Sequence, residues 1–202
     1  RRQRQMCIRD RFDPFLLLDD FRNENPNDYL KGFPWHPHRG IETITYILKG
    51  SVEHKDSLGN FGNLNDGDVQ WMTAGSGILH QEMPKGNDKG EMHGFQLWAN
   101  LPSNLKMTTP NYQDVKSKEI SVIEDDDGTI IKIVIGDYKG YKGLIKGIAS
   151  NPQYFDIYVP PNRIKSFEIP TYNNCFAYVF EGNAQFCLLY TSDAADDRGC
   201  GV

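Results

Sequence analysis

The chain has 202 residues, a formal net charge of −5, and a composition that is 39% hydrophobic, 12% aromatic and 24% charged. That is ordinary globular make-up, sized for one large domain or two small ones. It excludes several classes. No apolar run approaches the ~18–20 residues of a membrane-spanning helix, the 19 glycines follow no period and no heptad persists, and the acidic balance argues against direct nucleic-acid binding.

The two ends read differently from the middle. Residues 1–11 hold five Arg and one Asp, and residues 191–202 hold three Asp and one Arg. Neither has hydrophobic periodicity or turn chemistry, and both resemble short translated scars. They are expected to be non-native or disordered tails. No apolar h-region follows the N-terminal arginines, so no secretory signal is visible; a cytoplasmic location is expected, with the nucleus as the alternative in a eukaryotic source.

Between the tails the chain reads as short strands. The runs 41–48, 68–72, 94–99, 129–135, 154–159 and 175–180 are rich in β-branched and aromatic residues. Turn formers separate them, at Ser57-Leu58-Gly59-Asn60, Asn65-Asp66-Gly67-Asp68, Asp127-Gly128 and Glu181-Gly182-Asn183. Only Ser103–Met107 suggests a helical turn. The pattern predicts an all-β sandwich or small barrel. The stretch 111–118 reads as a polar connection between domains, and the acidic run 124–128 as a solvated loop, because it lacks the ligand spacing of a calcium site. The run Ile44–Val52 is echoed by Phe176–Ala184, each an apolar strand with a central Tyr closed by a charged residue and Gly. That echo suggests two domains of one kind, the second cut short. Cys175 and Cys187 fall in apolar runs and read as buried thiols of a reducing compartment.

The chemistry concentrates in His36-x-His38 and His80-x-Glu82. Side chains at i and i+2 of a strand share a face, so each pair projects two donors together. Two such strands facing across a barrel converge three nitrogens and one carboxylate, a set that suits a divalent first-row metal with open coordination positions. Iron fits, and manganese, nickel or copper fit nearly as well. Glu42 shares parity with His36 and His38 and competes for the carboxylate role; spacing alone does not choose between Glu42 and Glu82. His54, in the polar run Val52–Asp56, reads as an exposed strand residue, and His93 as a hydrogen-bonded structural histidine.

On these residues the chain resembles a known family. Gly32–Thr43 is similar to the first cupin motif in the form carried by the pirin family, and Gly67–Glu82 to that family's second motif. Asp13–Asp19 and Phe95–Pro102 also match, and the similarity covers about residues 12–190. The resemblance implies a bicupin of double-stranded β-helix barrels. Residues 12–118 would form a metal-binding N-terminal cupin, and residues 119–190 a C-terminal cupin that breaks off within its barrel. It implies Fe(II) held by His36, His38, His80 and Glu82, with Glu42 beside the site as an alternate ligand or base. Two function classes follow. One is a quercetin 2,3-dioxygenase-like enzyme that opens flavonols with O2, Glu82 or Glu42 taking up the substrate's proton. The other is a non-enzymatic, redox-dependent regulator that engages a partner protein.

Overall fold

In a computed structural model, described over residues 4–7, 12–147, 149–186, 190–193 and 200–201, the regular structure is almost wholly antiparallel strand. The first ten are β1 (Arg4–Cys7), β2 (Phe15–Asp20), β3 (Phe33–His38), β4 (Ile41–Lys49), β5 (Ser51–Asp56), β6 (Phe61–Leu64), β7 (Val69–Thr73), β8 (Ile78–Lys85), β9 (His93–Asn100) and β10 (Asn111–Val115). They form a six-stranded sheet in the order β1-β2-β9-β4-β7-β10 and a four-stranded sheet in the order β3-β8-β5-β6. A four-residue helix, α1 (Pro26–Tyr29), is opened by the Asn25 side chain accepting from the Asn27 amide. No helix among the described residues is long and apolar enough to cross a membrane.

The central strands are buried on both faces, which explains why 41–48 and 68–72 read as near-continuous apolar or β-branched runs. Along β4 every residue from Glu42 to Ile47 is buried, and all five residues of β7 are buried. One face carries Ile44 and Tyr46 opposite Trp71 and Val69, and these join Phe95 and Leu97 in the main hydrophobic cluster. Each such side chain contributes about 1.5–3 kcal/mol on burial. The other face carries Thr43 and Thr45 opposite Met72 and Gln70, and looks into the space between the two sheets.

The later residues pack on the apolar face. Strands β11 (Ser121–Glu124), β12 (Ile130–Ile135) and β15 (Tyr154–Tyr158) form a three-stranded sheet, and β13 (Asp137–Tyr138) pairs with β14 (Tyr141–Lys142). Val134, Ile135, Ile145 and the rings of Tyr154, Phe176, Tyr178 and Phe180 complete the main cluster. Polar ties cross the same seam. The Tyr46 hydroxyl donates to Asp156 at 2.8 Å, the Tyr178 hydroxyl to Asp20 at 3.0 Å, and the Arg22 guanidinium to the Phe180 carbonyl at 2.9 Å.

Several sequence expectations differ from this. The stretch read as a connection contains β10, which pairs with β7 from Asn111↔Thr73 to Val115↔Val69; its polar side chains had hidden an edge strand. Residues 4–7 of the expected N-terminal tail pair with 17–20 of β2. The predicted strand 175–180 is reduced to β16 (Phe176–Ala177), followed by β17 (Asn183–Phe186). The echo with β4 and β5 survives at the turn, where Gly50 and Gly182 both adopt left-handed φ, +87° and +76°. Beyond it, β18 (Tyr190–Asp193) pairs with β17, and β19 (Cys200–Gly201) with β16. Cys175 is a free, partly buried thiol whose pKa burial pushes up; Cys187 lies outside the described residues. The acidic run is tied down, Asp125 pairing with Lys139 at 2.7 Å and with Lys165, while Ser103–Leu105 forms the expected helical turn.

Candidate metal centre

Strand β8 lies between β3 and β5, and this register assembles the site. Its residues alternate in burial, with Ile78, His80, Glu82 and Pro84 inward. His36 of β3 stands opposite His80. On the other side, Asp56 of β5 stands opposite His80 and His54 opposite Glu82. Directly opposed residues of an antiparallel pair have Cβ atoms about 5 Å apart, so the imidazoles meet without any long reach. The ring centroids of His36 and His80 are 4.3 Å apart, those of His38 and His80 4.9 Å, and those of His54 and His80 5.2 Å.

Two sets of donors that could hold a metal ion result: His36, His38 and His80, and His54, His80 and Glu82, each with its ligand atoms within 4.8 Å of one another. The first set fits an ion closely. The His36 and His38 Nε2 atoms are 3.1 Å apart. Two nitrogens each ~2.1 Å from one ion and at right angles to each other are separated by about 3.0 Å. The His36 Nδ1 is 2.8 Å from the Pro34 carbonyl. A carbonyl only accepts, so Nδ1 carries the proton and the ring turns Nε2 inward, the atom that would face an ion. Both nitrogens of His80 are buried without a hydrogen-bond partner, an arrangement costly for a polar ring unless an ion or water completes it. Burial, reinforced by the neighbouring His36, lowers the His38 pKa to about 4. The same effects, with three imidazoles around it, depress His80 further. Both rings therefore stay neutral at physiological pH, as metal ligation requires.

Glu82 is steered from the opposite sheet. Its Oε1 accepts from Thr45 Oγ1 of β4 at 3.3 Å, and its two oxygens accept from the Gln96 amide of β9 at 3.1 and 3.0 Å. The indole N–H of Trp98 donates to Gln96 Oε1 at 2.8 Å. Because an indole only donates, it turns the amide oxygen toward itself and the NH2 group toward Glu82. Trp98 also sets its ring edge against His38, centroids 5.0 Å apart.

The remaining expected residues lie elsewhere. Glu42 is buried on the opposite face of β4 from Thr45, where it accepts from Thr73 Oγ1 at 2.8 Å. The parity that linked it to His36 and His38 is broken at Arg39-Gly40, where Gly40 adopts φ +68° and the chain changes sheets. Glu42 is not brought to the cluster. His54 is not exposed but fully buried, its ring 5.0 Å from that of Tyr112, and burial lowers its pKa. The signal was present in the sequence: Val52 and His54 alternate with charged Glu53 and Lys55. His93 is a buried structural histidine, its Nε2 3.5 Å from Asp20 Oδ1 and its ring against Phe95 and Phe180. Beside Glu82 a cavity of about 20 Å³ opens between Phe21, Phe33, Val52 and Gln96, which is room for a water.

Comparison with known proteins places this geometry in a family. The family model described as Pirin matches residues 1–99, a span that includes the residues expected as an N-terminal tail. A pirin-like protein of Caulobacter vibrioides is 45% identical over 175 residues, covering 86% of this chain and 63% of that protein. The crystal structure of a Geobacillus kaustophilus protein superposes with a TM-score of 0.77 at 39% identity, over 91% of this chain and 71% of that one. That of a quercetin 2,3-dioxygenase from Acinetobacter baumannii superposes with a TM-score of 0.67 at 35% identity, over 86% of this chain and 58% of that one. The chain thus spans less than two thirds of the Caulobacter relative, and its two facing sheets, with histidines and a carboxylate gathered between them, are those of an all-β cupin that belongs to the pirin family.

Proposed function

We propose that this chain is the metal-binding part of a cupin dioxygenase that opens flavonols such as quercetin with O2. His36, His38, His80 and Glu82 hold the ion in this reading, which takes residues 12–118 as the metal-binding domain and 119–190 as part of a second cupin. The observation that carries it is the convergence of three imidazoles, with a carboxylate close by, inside the first pair of sheets. The quercetin 2,3-dioxygenase to which the chain is similar supplies the substrate class. Bound there, Fe(II) supplies a Lewis acid and a site for O2 chemistry.

The protein's own part is positional and acid–base. His36 is held in one tautomer by the Pro34 carbonyl, and Glu82 is oriented by Gln96 and Thr45. Glu82 is the group placed to take up the proton of the flavonol 3-hydroxyl. Glu42 stays out of this role because its carboxylate serves Thr73 on the far face of β4. Ring opening consumes one O2 and releases carbon monoxide. The test is oxygen uptake and carbon monoxide release with quercetin by iron-loaded protein, against His80→Ala. Uptake abolished by the substitution supports the reading, and metal binding without uptake sinks it.

A second reading has an observation of its own. The cavity beside Glu82 measures about 20 Å³, whereas pockets for drug-sized ligands run about 300–1,000 Å³. A cytoplasmic or nuclear regulator whose ion alters a partner-binding surface needs no such pocket. Metal binding without quercetin turnover favours this alternative.

A further inference from the structure

We propose that the barrel offers a divalent ion two overlapping positions: an outer one on His36, His38 and His80, and an inner one on His54, His80 and Glu82. The inference rests on the metal-binding reading above: the outer triad is that reading's three histidines, its carboxylate Glu82 is shared with the inner position, and His54 is the ligand added.

The register of β5 against β8 is the first support. His54 is the direct cross-strand partner of Glu82, and His80 stands two residues earlier on the same inward face. Three donors thus lie at adjacent corners of one patch, their ligand atoms within 4.8 Å. Burial is the second support. His54 and His80 have no solvent exposure and Glu82 has 5%, and both nitrogens of His54, like both of His80, are buried with no hydrogen-bond partner. The nearest carboxylate to His54 does not resolve this. Asp56 Oδ2 is 3.7 Å from His54 Nε2, too long for a hydrogen bond. The Asp56 carboxylate is engaged instead by the amides of Leu58 and Asn60 at 2.9 and 3.0 Å and by the Asn60 side chain at 2.7 Å. Two buried imidazoles with unmet nitrogens beside a carboxylate form a donor set for a borderline divalent cation.

The two positions differ in access. His36 is only half-buried, so an ion in the outer triad faces the solvent side of β3 and keeps room for an external ligand. The inner triad is buried, with His54 and His80 without solvent exposure and Glu82 at 5%. An ion held by the outer triad is thus open to exchange and chemistry, while one held by the inner triad is stored.

Titration of the full chain with Co(II), followed by calorimetry and visible absorption, tests this. The His36→Ala/His38→Ala double variant is expected to take up one Co(II) still, with weaker affinity and an altered spectrum. Adding His54→Gln, or independently Glu82→Gln, is expected to abolish that residual uptake. Circular dichroism confirms that each variant is folded, and the two independent third substitutions guard against a local collapse at either one. If the folded double variant takes up no Co(II), the inner position is overturned while the reading with His36 and His38 as ligands stands. If residual uptake persists unchanged in both triple variants, the inner position is likewise overturned. If the double variant keeps the parent affinity and spectrum, and His54→Gln alone lowers both, the inner position holds and the outer ligand set falls.

Discussion

Gln96 donates to both carboxylate oxygens of Glu82, at 3.1 and 3.0 Å, across the gap between the two sheets. That contact ties the carboxylate proposed as a metal ligand to a strand of the opposite sheet, and the indole of Trp98 fixes which end of the amide faces it. Removing the donor frees Glu82 to rotate and leaves its charge less well met. Gln96→Leu is therefore expected to weaken metal affinity about 10–100-fold, the usual effect of losing a group that orients a ligand. Calorimetric titration of the variant checks this. Unchanged affinity would show that Glu82 needs no such support.

The seam between the first ten strands and the later residues gathers on Asp20. This buried carboxylate accepts from the Arg22 amide at 3.2 Å, from the Arg22 guanidinium at 3.3 Å and from the Tyr178 hydroxyl at 3.0 Å, with His93 at 3.5 Å. Burial alone would raise its pKa, but the nearby His93 imidazole and the charge of Arg22 outweigh it and the pKa falls. Its contribution to stability is thus present above the ordinary aspartate value and lost as pH falls through the lower folded value. Tyr178→Phe removes one hydroxyl donor and is expected to cost about 1 kcal/mol at neutral pH, read as a lower urea midpoint with unchanged metal affinity. A loss of metal binding in this variant would mean that the seam and the centre are coupled.

The histidine centre imposes its own pH dependence on the metal-free protein. The His38 pKa lies at about 4 in the folded chain, against 6.5 for a free histidine, chiefly because burial penalises the charged ring. Between those values the unfolded chain binds a proton that the folded chain does not, so stability falls as pH drops from 6.5 toward 4. His54 and His80 shift in the same direction. The melting temperature of metal-free protein is expected to fall across this window, and to fall less in a His38→Gln/His80→Gln variant. Equal slopes for the two would contradict the neutral cluster.

Much of this was legible in the sequence, and the failures share one cause. Strands β4, β7, β9 and β12 were readable because their runs carry β-branched and aromatic residues on both faces. His36-x-His38 and His80-x-Glu82 were readable because i and i+2 share a face within one strand. Parity does not pass through a turn, however. The reading of Glu42 carried it across Gly40, whose left-handed φ sends the chain into the other sheet. His54 failed the other way. Its polar neighbours suggested solvent, yet Glu53 and Lys55 simply occupy the outer face of β5, while Val52, His54 and Asp56 point inward. Strand β10 was missed because Asn111, Gln113 and Asp114 mask an edge strand whose pairing with β7 is set by tertiary contact.

Glu42 provides the sharpest separation of a structural carboxylate from the one proposed to hold the metal. It has 1% exposure, its Oε1 accepts from Thr73, and its Oε2 is buried without a partner. Burial raises its pKa above 4.5, with the Thr73 bond opposing. A raised folded value means that the proton is held more tightly in the folded chain. Stability from this group is therefore full below pH 4.5 and is lost as pH rises through the folded pKa. Glutamine keeps a carbonyl for Thr73 and does not titrate. Glu42→Gln is expected to be at least as stable as the parent at neutral pH, with an advantage that grows from pH 4.5 upward and then levels off, and to bind metal with unchanged affinity. Thermal melts from pH 4.5 to 8 alongside a Co(II) titration read both at once. A variant that melts normally but loses Co(II) affinity would return Glu42 to the ligand set that its place on the far face of β4 denies it.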